Sequence, residues 1–401
     1  MSKFGPKNLK IPPCRPLDKL GKDMQLPFMY LIPKMHKKPF IKFRAIVSSV
    51  NSPTKPLAKT VCHILKQIYI KNRNYCQILK TYDGINRMWI CTNYLEILSD
   101  IDHINRKYCA KSFEVFDFST LYTKFEHDSL KDNLKWCMER AFNKKKLRIS
   151  VYKTGASWAV SPRDTSYSYN IDECILLNEA LIDNAYFKVG NFVFKQNIGI
   201  AMGSDPAPFQ ANLGLYFYEF QFQNKYKNRI FAYKLNHTQR YIDDVNCKND
   251  NGTFQQQMQQ IYPSELELTK ENQGTSSGSV LEIDLSINNN KKFETKIYDK
   301  RDEFPFNIIN YPSADSNIHD TTIHGVFVSQ LVRYMRVSSK LSFFIDRASR
   351  LFYDIHKKGI PTKSLQGLFI KFLKTHEEIK KFNQSNDNIC KLLIHKVKQL
   401  S

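Results

Sequence analysis

Two adjacent aspartates, Asp243 and Asp244, stand in the run Arg-Tyr-Ile-Asp-Asp-Val. The run predicts a strand, a tight turn and a second strand. Carboxylates side by side in an apolar turn repel each other and lose hydration, so they favour binding of a cation. The same dipeptide is also common in plain hairpin turns, so the pair on its own leaves both interpretations open.

A third carboxylate ends an earlier apolar segment, Phe-Glu-Val-Phe-Asp, whose last residue is Asp117. This segment predicts a strand over 113–117, and a neighbouring position in one sheet would bring Asp117 beside the aspartate pair. Magnesium takes a few carboxylates together with phosphate oxygens and water. Two such ions can lower the barrier to in-line attack of a 3′ hydroxyl on a triphosphate. The three acids therefore predict a metal site for phosphoryl transfer.

The charge of the chain indicates a polyanionic partner. Its 401 residues include 60 Lys+Arg against 38 Asp+Glu, a formal net charge of +22. Aromatic residues at 13% exclude a disordered basic tail, because such tails lack the material for a core. Nucleic acid and an anionic membrane surface both fit this charge, and an AT-rich genome also enriches lysine.

Cysteine usage and hydropathy limit the cellular compartments in which the protein is expected. The nine cysteines are scattered singly, without a Cys-x-x-Cys pair, which indicates reduced intracellular thiols rather than a disulfide framework or a zinc site. The first residues lack the apolar core of a signal peptide. The sequence contains no apolar run of about 18 residues, the length needed to span a membrane.

Hydrophobic periodicity predicts an irregular alternation of strands and helices, hence an α+β or mixed α/β fold. Hairpins are expected with a turn near Gly190 and over 280–300, and a Ser/Tyr-rich loop is expected over 157–170. We expect the helix over 206–223 to be capped by Ser204 or Asp205. Helices are predicted over most of 58–105 and over 127–149, 173–185 and 206–223. From 326 onward the chain is predicted to be helical in three pieces, with breaks near 359–361 and 383.

Five segments in order carry a family resemblance. The chain resembles a reverse transcriptase, and most closely those of Penelope-like retroelements, which are allied to telomerase. The segments are 30–59 (Pro-Lys-Met-His-Lys, then Arg-Ala-Ile-Val-Ser), 115–127 (Val-Phe-Asp-Phe), 198–219 (Ala-Met-Gly-Ser), 240–245 (Arg-Tyr-Ile-Asp-Asp-Val) and 280–306 (Val-Leu-Glu-Ile-Asp-Leu-Ser-Ile onward).

The resemblance implies a right-hand polymerase: an α+β fold with fingers, an antiparallel palm sheet and a helical C-terminal thumb. The implied parts are a basic N-terminal arm (1–25), fingers and a helical connector (26–110), a palm with an inserted fingers part (111–255), the end of the palm with a hairpin (256–325) and the thumb (326–401). Many relatives continue into a GIY-YIG endonuclease, whose signature is not found in this sequence. The resemblance therefore implies either an endonuclease-lacking lineage or a fragment of a longer element.

The resemblance also assigns the metal ligands. Asp117 and Asp243 would hold two Mg²⁺ ions, with Mn²⁺ as an alternative, and Asp244 would be the remaining acidic partner. The backbone carbonyl of Phe118 would complete one coordination shell.

Four further residues would contact the incoming nucleotide. Lys34 and Arg44 would bind the triphosphate, although both are also typical exposed bases. Tyr122 would be the steric gate that excludes a 2′ hydroxyl, or else a core tyrosine in a helix turn. Gly203 would let the backbone approach the nucleotide, or serve a simple helix N-terminal turn. Three other bases fit the role of the fingers cations: Lys37, Lys38 and Lys42.

Arginines in the last predicted helices would bind the duplex through its phosphates, giving affinity without sequence reading. The alternative is a solvated helix face, which explains a charge run of this kind more often than not. The arginines are Arg333, Arg336, Arg347 and Arg350.

Together these features predict an RNA-directed DNA polymerase that works without a membrane partner. Its partners would be an RNA template, a DNA primer and deoxynucleoside triphosphates, in an intracellular, nuclear location. Protein partners are not specified by the sequence. Two alternatives remain open: a domesticated, non-catalytic nucleic-acid-binding protein, and an RNA-dependent RNA polymerase, which Tyr122 disfavours.

Overall fold

A computed structural model describes residues 25–33, 43–143, 147–161, 167–304, 306, 308 and 311–400. The described residues form two compact units. Unit 1 comprises the described residues within Met1–Thr92 and Phe116–Lys270, and unit 2 those within Asn93–Val115 and Glu271–Ser401. Among the helices that can be described, none is long and apolar enough to cross a membrane.

The helices in chain order are α1 Lys55–Asp83, α2 Tyr94–Lys107, α3 Leu121–Lys124, α4 His127–Ala141, α5 Ile171–Asp183, α6 Ala207–Lys225, α7 Ile230–Lys234, α8 Thr253–Ile261, α9 Asp320–Val337, α10 Leu341–Lys357, α11 Thr362–Thr375 and α12 Asn386–Leu400. Short 3-10 helices lie at Leu235–His237, Lys300–Glu303 and Glu377–Phe382.

The strands in chain order are β1 Phe28–Pro33, β2 Phe43–Ser48, β3 Phe113–Phe118, β4 Arg148–Tyr152, β5 Gly155–Ala159, β6 Tyr167–Tyr169, β7 Tyr186–Val189, β8 Phe192–Lys195, β9 Thr238–Tyr241, β10 Asp244–Lys248, β11 Leu268–Lys270, β12 Ser277–Val280, β13 Ile283–Ile287 and β14 Phe293–Ile297.

One sheet of unit 1 carries the predicted carboxylates. Its strand order is β11-β3-β10-β9. Strands β9 and β10 form an antiparallel hairpin in which Tyr241 pairs with Asp244. Strand β11 is antiparallel to β3, with Thr269 opposite Asp117. Almost every side chain of β3 is buried, so this strand runs through the core rather than along an edge.

The other sheets of unit 1 have the orders β2-β1-β7-β8 and β5-β4-β6. Helices α1, α4, α5 and α6 pack together over one hydrophobic core. Helix α6 is apolar around most of its circumference and is accordingly largely buried. At Gly214 a Cβ atom would lie 2.9 Å from the ring of Phe125, so glycine allows α6 to approach that ring closely.

Unit 2 contains the antiparallel sheet β12-β13-β14 together with α2 and α9 to α12. Helix α10 buries an apolar stripe that includes Phe344, Leu351 and Ile355. This stripe follows helical spacing, as expected for a helix with one face in the core.

Several predicted elements are confirmed. The hairpin at Gly190, which has φ 59°, joins β7 to β8, and the later hairpin pairs β13 with β14. The run around the two aspartates forms strand, two-residue turn and strand. The five-part division into arm, fingers, palm segments and thumb stays a prediction.

Two predictions around residue 150 are wrong. The helix expected to 149 ends at Ala141, and β4 begins at Arg148. The expected loop over 157–170 contains the end of β5 and all of β6, both of which pair with β4. Ile149 and Val151, two residues apart on β4, are both buried in the core. Burial against the neighbouring strands therefore outweighed the local helical pattern.

The C-terminal tail forms four helices rather than three, because α9 ends at Val337. The amide of Ser339 donates to the carbonyl of Thr295 (2.8 Å), and the amide of Thr295 donates to the Ser339 hydroxyl (3.0 Å). These bonds to β14 replace the intrahelical bonds that a continuous helix would need.

The predicted cap of α6 is also wrong. Pro206 occupies the N-cap position without a side-chain hydrogen bond. Asp205 instead forms an ion pair with Lys55 at the start of α1, at 2.8 Å.

Candidate active site

The two-residue turn between β9 and β10 is formed by Ile242 and Asp243. Ile242 has φ 58°, whereas the following residue does not, which is the pattern of a type II′ turn. That turn favours glycine at its first central position. A β-branched residue there costs about 1–3 kcal/mol of backbone strain, and such strain persists only where surrounding structure holds it.

Strand β3 lies beside β10, so Asp117 lies beside the turn. The amide of Phe118 donates to the carbonyl of Asp243 at 3.1 Å. Burial and then the charge of Asp117 raise the pKa of Asp243, against the opposing charges of Arg44 and Arg240. The expected juxtaposition of the two strands is thus found, and Asp117 and Asp243 are close enough to repel each other.

These carboxylates match the donors that magnesium takes from proteins. Within the described part of the chain, no group of three or more His, Cys, Asp or Glu side chains is arranged to hold a metal ion. Magnesium is usually bound by one or two protein carboxylates, with phosphate oxygens and water as its other ligands. The repelling pair Asp117 and Asp243 fits that mode, and Asp244 opens β10 directly after the turn. The metal roles of these residues and of the Phe118 carbonyl stay predictions.

Tyr122 lies against the same turn. Burial and then the charge of Asp243 raise the pKa of its phenol to about 12. The Tyr122 carbonyl accepts a hydrogen bond from the amide of Ile200 at 2.9 Å, which holds the backbone of this residue in place. Its role as a steric gate stays a prediction.

Of the two predicted triphosphate ligands, only Arg44 lies among the described residues. It is exposed on β2, and its positive charge acts on both Asp243 and Tyr122. Lys34 lies outside the described residues, as do Lys37, Lys38 and Lys42.

Gly203 lies in a loop that packs against β2. It has φ +100°, and a Cβ atom there would meet the Val47 carbonyl oxygen at 2.1 Å. The amide of Val47 donates to the Met202 carbonyl (3.0 Å), and the Ser49 hydroxyl donates to the Gly203 carbonyl (2.8 Å). The close approach that requires glycine is therefore to the protein's own backbone, while an approach to nucleotide stays a prediction.

A buried ion pair behind the turn was missed from the sequence. Arg240 and Glu219 are fully buried, and two guanidinium nitrogens donate to the two carboxylate oxygens. Arg240 also donates to the Ile242 carbonyl at 3.0 Å and to the Asn212 side chain at 2.8 Å. The Tyr262 hydroxyl donates to Glu219 at 2.9 Å. Arg240 thus stabilises the strained turn from the buried side. In the sequence, this ion pair was indicated only by the presence of two charged residues within apolar segments.

The four predicted nucleic-acid-binding arginines lie in unit 2, and each forms an ion pair there. The pairs are Arg333 with Glu282 (2.6 Å), Arg336 with Glu378 (3.0 Å), Arg347 with Asp302 (2.5 Å) and Arg350 with Asp302 (3.3 Å). Arg347 and Arg350 share one carboxylate, and because all four arginines form ion pairs within the unit, contact with phosphates would require exchange of partners. Their nucleic-acid role stays a prediction.

Compared by sequence, the chain matches no protein-family model. It also matches none of the curated proteins.

Among solved structures, the chain is similar to telomerase from Candida albicans in complex with a TWJ fragment of telomeric RNA. The TM-score is 0.57 at 12% identity, over 96% of this chain and 64% of that chain. Apo telomerase from Candida tropicalis gives a TM-score of 0.49 at 14% identity, over 93% and 65% of the two chains. The BmCPV RNA-dependent RNA polymerase gives 0.44 at 12% identity, over 88% and 26%.

At these identities the likeness concerns the fold alone, and it rests on the Candida albicans structure. The chain has a polymerase-like α+β fold, which confirms the predicted class. It spans about 64% of the length of the Candida albicans chain. Membership of the Penelope-like branch stays a prediction.

Proposed function

We propose that the chain is an RNA-directed DNA polymerase of a Penelope-like retroelement, acting in the nucleus. It would extend the 3′ hydroxyl of a DNA primer with deoxynucleoside triphosphates on an RNA template. The observation that supports this most is the position of Asp117 beside Asp243, at a turn in the sheet of a polymerase-like fold.

In this mechanism the chain's own residues position charge rather than form a covalent intermediate. Asp117 and Asp243 would hold two magnesium ions, with Asp244 beside them. Magnesium would neutralise the charge that develops on the transferred phosphoryl group. Arg44 would bind the triphosphate from β2, with Lys34 in the same role, and the ring of Tyr122 would exclude a 2′ hydroxyl.

The first test is primer extension on an RNA template by Asp243→Asn. This change removes a metal ligand but preserves shape, so we expect synthesis to be lost while duplex binding is nearly unchanged. Asp128→Asn is the matched control, because the side chain of Asp128 is 93% exposed on α4. Retained synthesis by Asp243→Asn would contradict the metal assignment.

The same assay, run with deoxynucleotides and ribonucleotides in Mg²⁺ or Mn²⁺, separates the alternatives. Tyr122→Ala should admit ribonucleotides, whereas Tyr122→Phe keeps the ring and should keep the discrimination. Unchanged selectivity in Tyr122→Ala would place the gate elsewhere. Duplex binding by the unaltered chain without any synthesis would indicate the non-catalytic alternative, and a preference for ribonucleotides an RNA polymerase.

A further inference from the structure

The end of α1 and the segment 225–234 together form an exposed surface of unit 1 that carries cations and large apolar side chains. We propose that this basic–aromatic surface binds single-stranded nucleic acid, at a place separate from the proposed catalytic turn. It consists of Tyr82, Lys227, Arg229, Ile230, Tyr233 and Lys234.

The surface is held in place by hydrogen bonds. The Asn236 side chain donates to the Gly84 carbonyl (2.7 Å) and accepts from the Asn86 amide (2.8 Å). The Gln223 side chain donates to the carbonyls of Asn86 (3.2 Å) and Ala232 (3.3 Å). These bonds join the end of α1 to α6 and α7, so the exposed side chains project from a fixed backbone.

The cations of this surface are not engaged in ion pairs with other described residues. Segment 225–234 contains no acidic residue, and in the described chain no carboxylate forms an ion pair with Lys227, Arg229 or Lys234. The nearby carboxylate, Asp83, experiences the charge of Lys227 but is bound by the buried guanidinium of Arg87 at 2.5 Å. In contrast to the arginines of unit 2, these three charges are available to a polyanion.

The apolar members are unusually exposed for their size. Tyr82 is 84% exposed, Ile230 79% and Tyr233 48%. Large apolar side chains grouped on a surface mark an interaction site. Aromatic rings among cations suit single strands, because unpaired bases stack on the rings while the cations bind the phosphates. A duplex, whose base faces are already stacked, would use the cations alone.

The surface is separated from the catalytic turn along the sheet. Strand β9 begins just after Asn236 and ends at Tyr241, next to the turn. Its four residues span about 13 Å at the usual rise per residue. The surface and the turn are therefore about one strand length apart, and a binding site on this surface is distinct from the proposed catalytic site, so the inference goes beyond the proposed function.

The charge test measures binding of fluorescein-labelled oligouridylate by fluorescence anisotropy over a series of salt concentrations. Replacing the three cations by glutamine (Lys227→Gln, Arg229→Gln, Lys234→Gln) should weaken binding and reduce the slope of log K against log salt by roughly 2. The matched control replaces three exposed lysines of α11 in the same way: Lys363→Gln, Lys371→Gln and Lys374→Gln.

The stacking test uses Tyr82→Ala with Tyr233→Ala. Loss of both rings should lower affinity roughly tenfold or more while leaving the salt slope unchanged. Tyr82→Phe with Tyr233→Phe keeps the rings and should bind as the unaltered chain does. Thermal unfolding of each variant checks that the fold is retained.

Equal weakening by the surface variant and the α11 control would overturn the proposal, as would unchanged affinity in both tests. Equal affinity for duplex and single strand would contradict base stacking. Preferential binding to phosphatidylserine vesicles over oligouridylate would assign the surface to a membrane instead. The assay contains no nucleotide triphosphates, so its outcome is independent of whether the chain synthesises DNA.

Discussion

The two units contain arginine–carboxylate pairs of the same chemistry in opposite surroundings. In unit 1 the side chains of Arg240 and Glu219 are both 0% exposed, whereas in unit 2 those of Arg336 and Glu378 are 40% and 53% exposed. When a buried charge loses its partner, water cannot solvate the charge in place of that partner. When an exposed charge loses its partner, water can. The buried pair can therefore fix geometry, and the exposed pair can exchange its partner for a phosphate.

The largest effect is expected for Arg240→Met. This change leaves the Glu219 charge buried and unpaired and frees the Ile242 carbonyl, so the free energy of unfolding should fall by about 3–5 kcal/mol. Urea denaturation of the variant and the unaltered chain measures the difference.

Replacing both Arg240 and Glu219 tests whether the loss of stability comes from the unpaired charge. Arg240→Met combined with Glu219→Leu removes the stranded charge, so the double variant should be more stable than Arg240→Met alone. Strictly additive losses would show that the two side chains do not act as a pair.

A smaller effect is expected for Arg336→Gln in unit 2. Because both partners are largely exposed, the free energy of unfolding should change by less than about 1 kcal/mol. If Arg336 exchanges Glu378 for a phosphate, the slope of log K for duplex binding against log salt should fall by about 1. Glu378→Gln is the matched control: it frees the same arginine and should not weaken duplex binding. A loss of stability as large as that of Arg240→Met would erase the contrast between the units.

The smallest effect concerns pH and Asp299 in unit 2. Burial by itself raises the pKa of Asp299, but hydrogen bonds from Arg301 outweigh it and hold the pKa below its ordinary 3.8. A lowered pKa contributes stability above pH 3.8, and this contribution disappears as the pH falls through the folded-state value. Asp299→Asn should therefore flatten the loss of stability with acid below pH 4, measured by denaturation at a series of pH values. An unchanged acid slope would show that other groups dominate it.

Local patterns were reliable where the sequence and the fold agreed. The alternation around Asp243, the apolar run before Asp117 and the turn at Gly190 each predicted the element that forms. In the segments around Asp243 and before Asp117, the side chains that favour a strand are also the ones that the core buries, so tertiary packing had nothing to overrule. The strands on either side of Gly190 are largely exposed, so local turn chemistry was sufficient to predict that hairpin.

Prediction failed where a distant segment supplied the hydrogen bonds. Strand β6 exists because β4 pairs with it, and α9 stops because Ser339 bonds to Thr295. Asp205 is a residue type that favours the N-cap position, but it forms an ion pair with Lys55 instead. None of these partners is adjacent in the chain, so hydrophobic periodicity and secondary-structure propensity cannot predict them.

The sequence by itself limited the class to α+β or mixed α/β, and it determined the identity of the candidate carboxylates and the hairpin that presents two of them, because these depend on residue type and short-range spacing. Only the tertiary structure decided that Asp117 lies beside Asp243, that Arg240 and Glu219 support the turn, and that the unit 2 arginines are already paired. Those facts depend on which distant groups share a low-dielectric interior or a surface, and electrostatic partners of that kind are chosen by the fold as a whole.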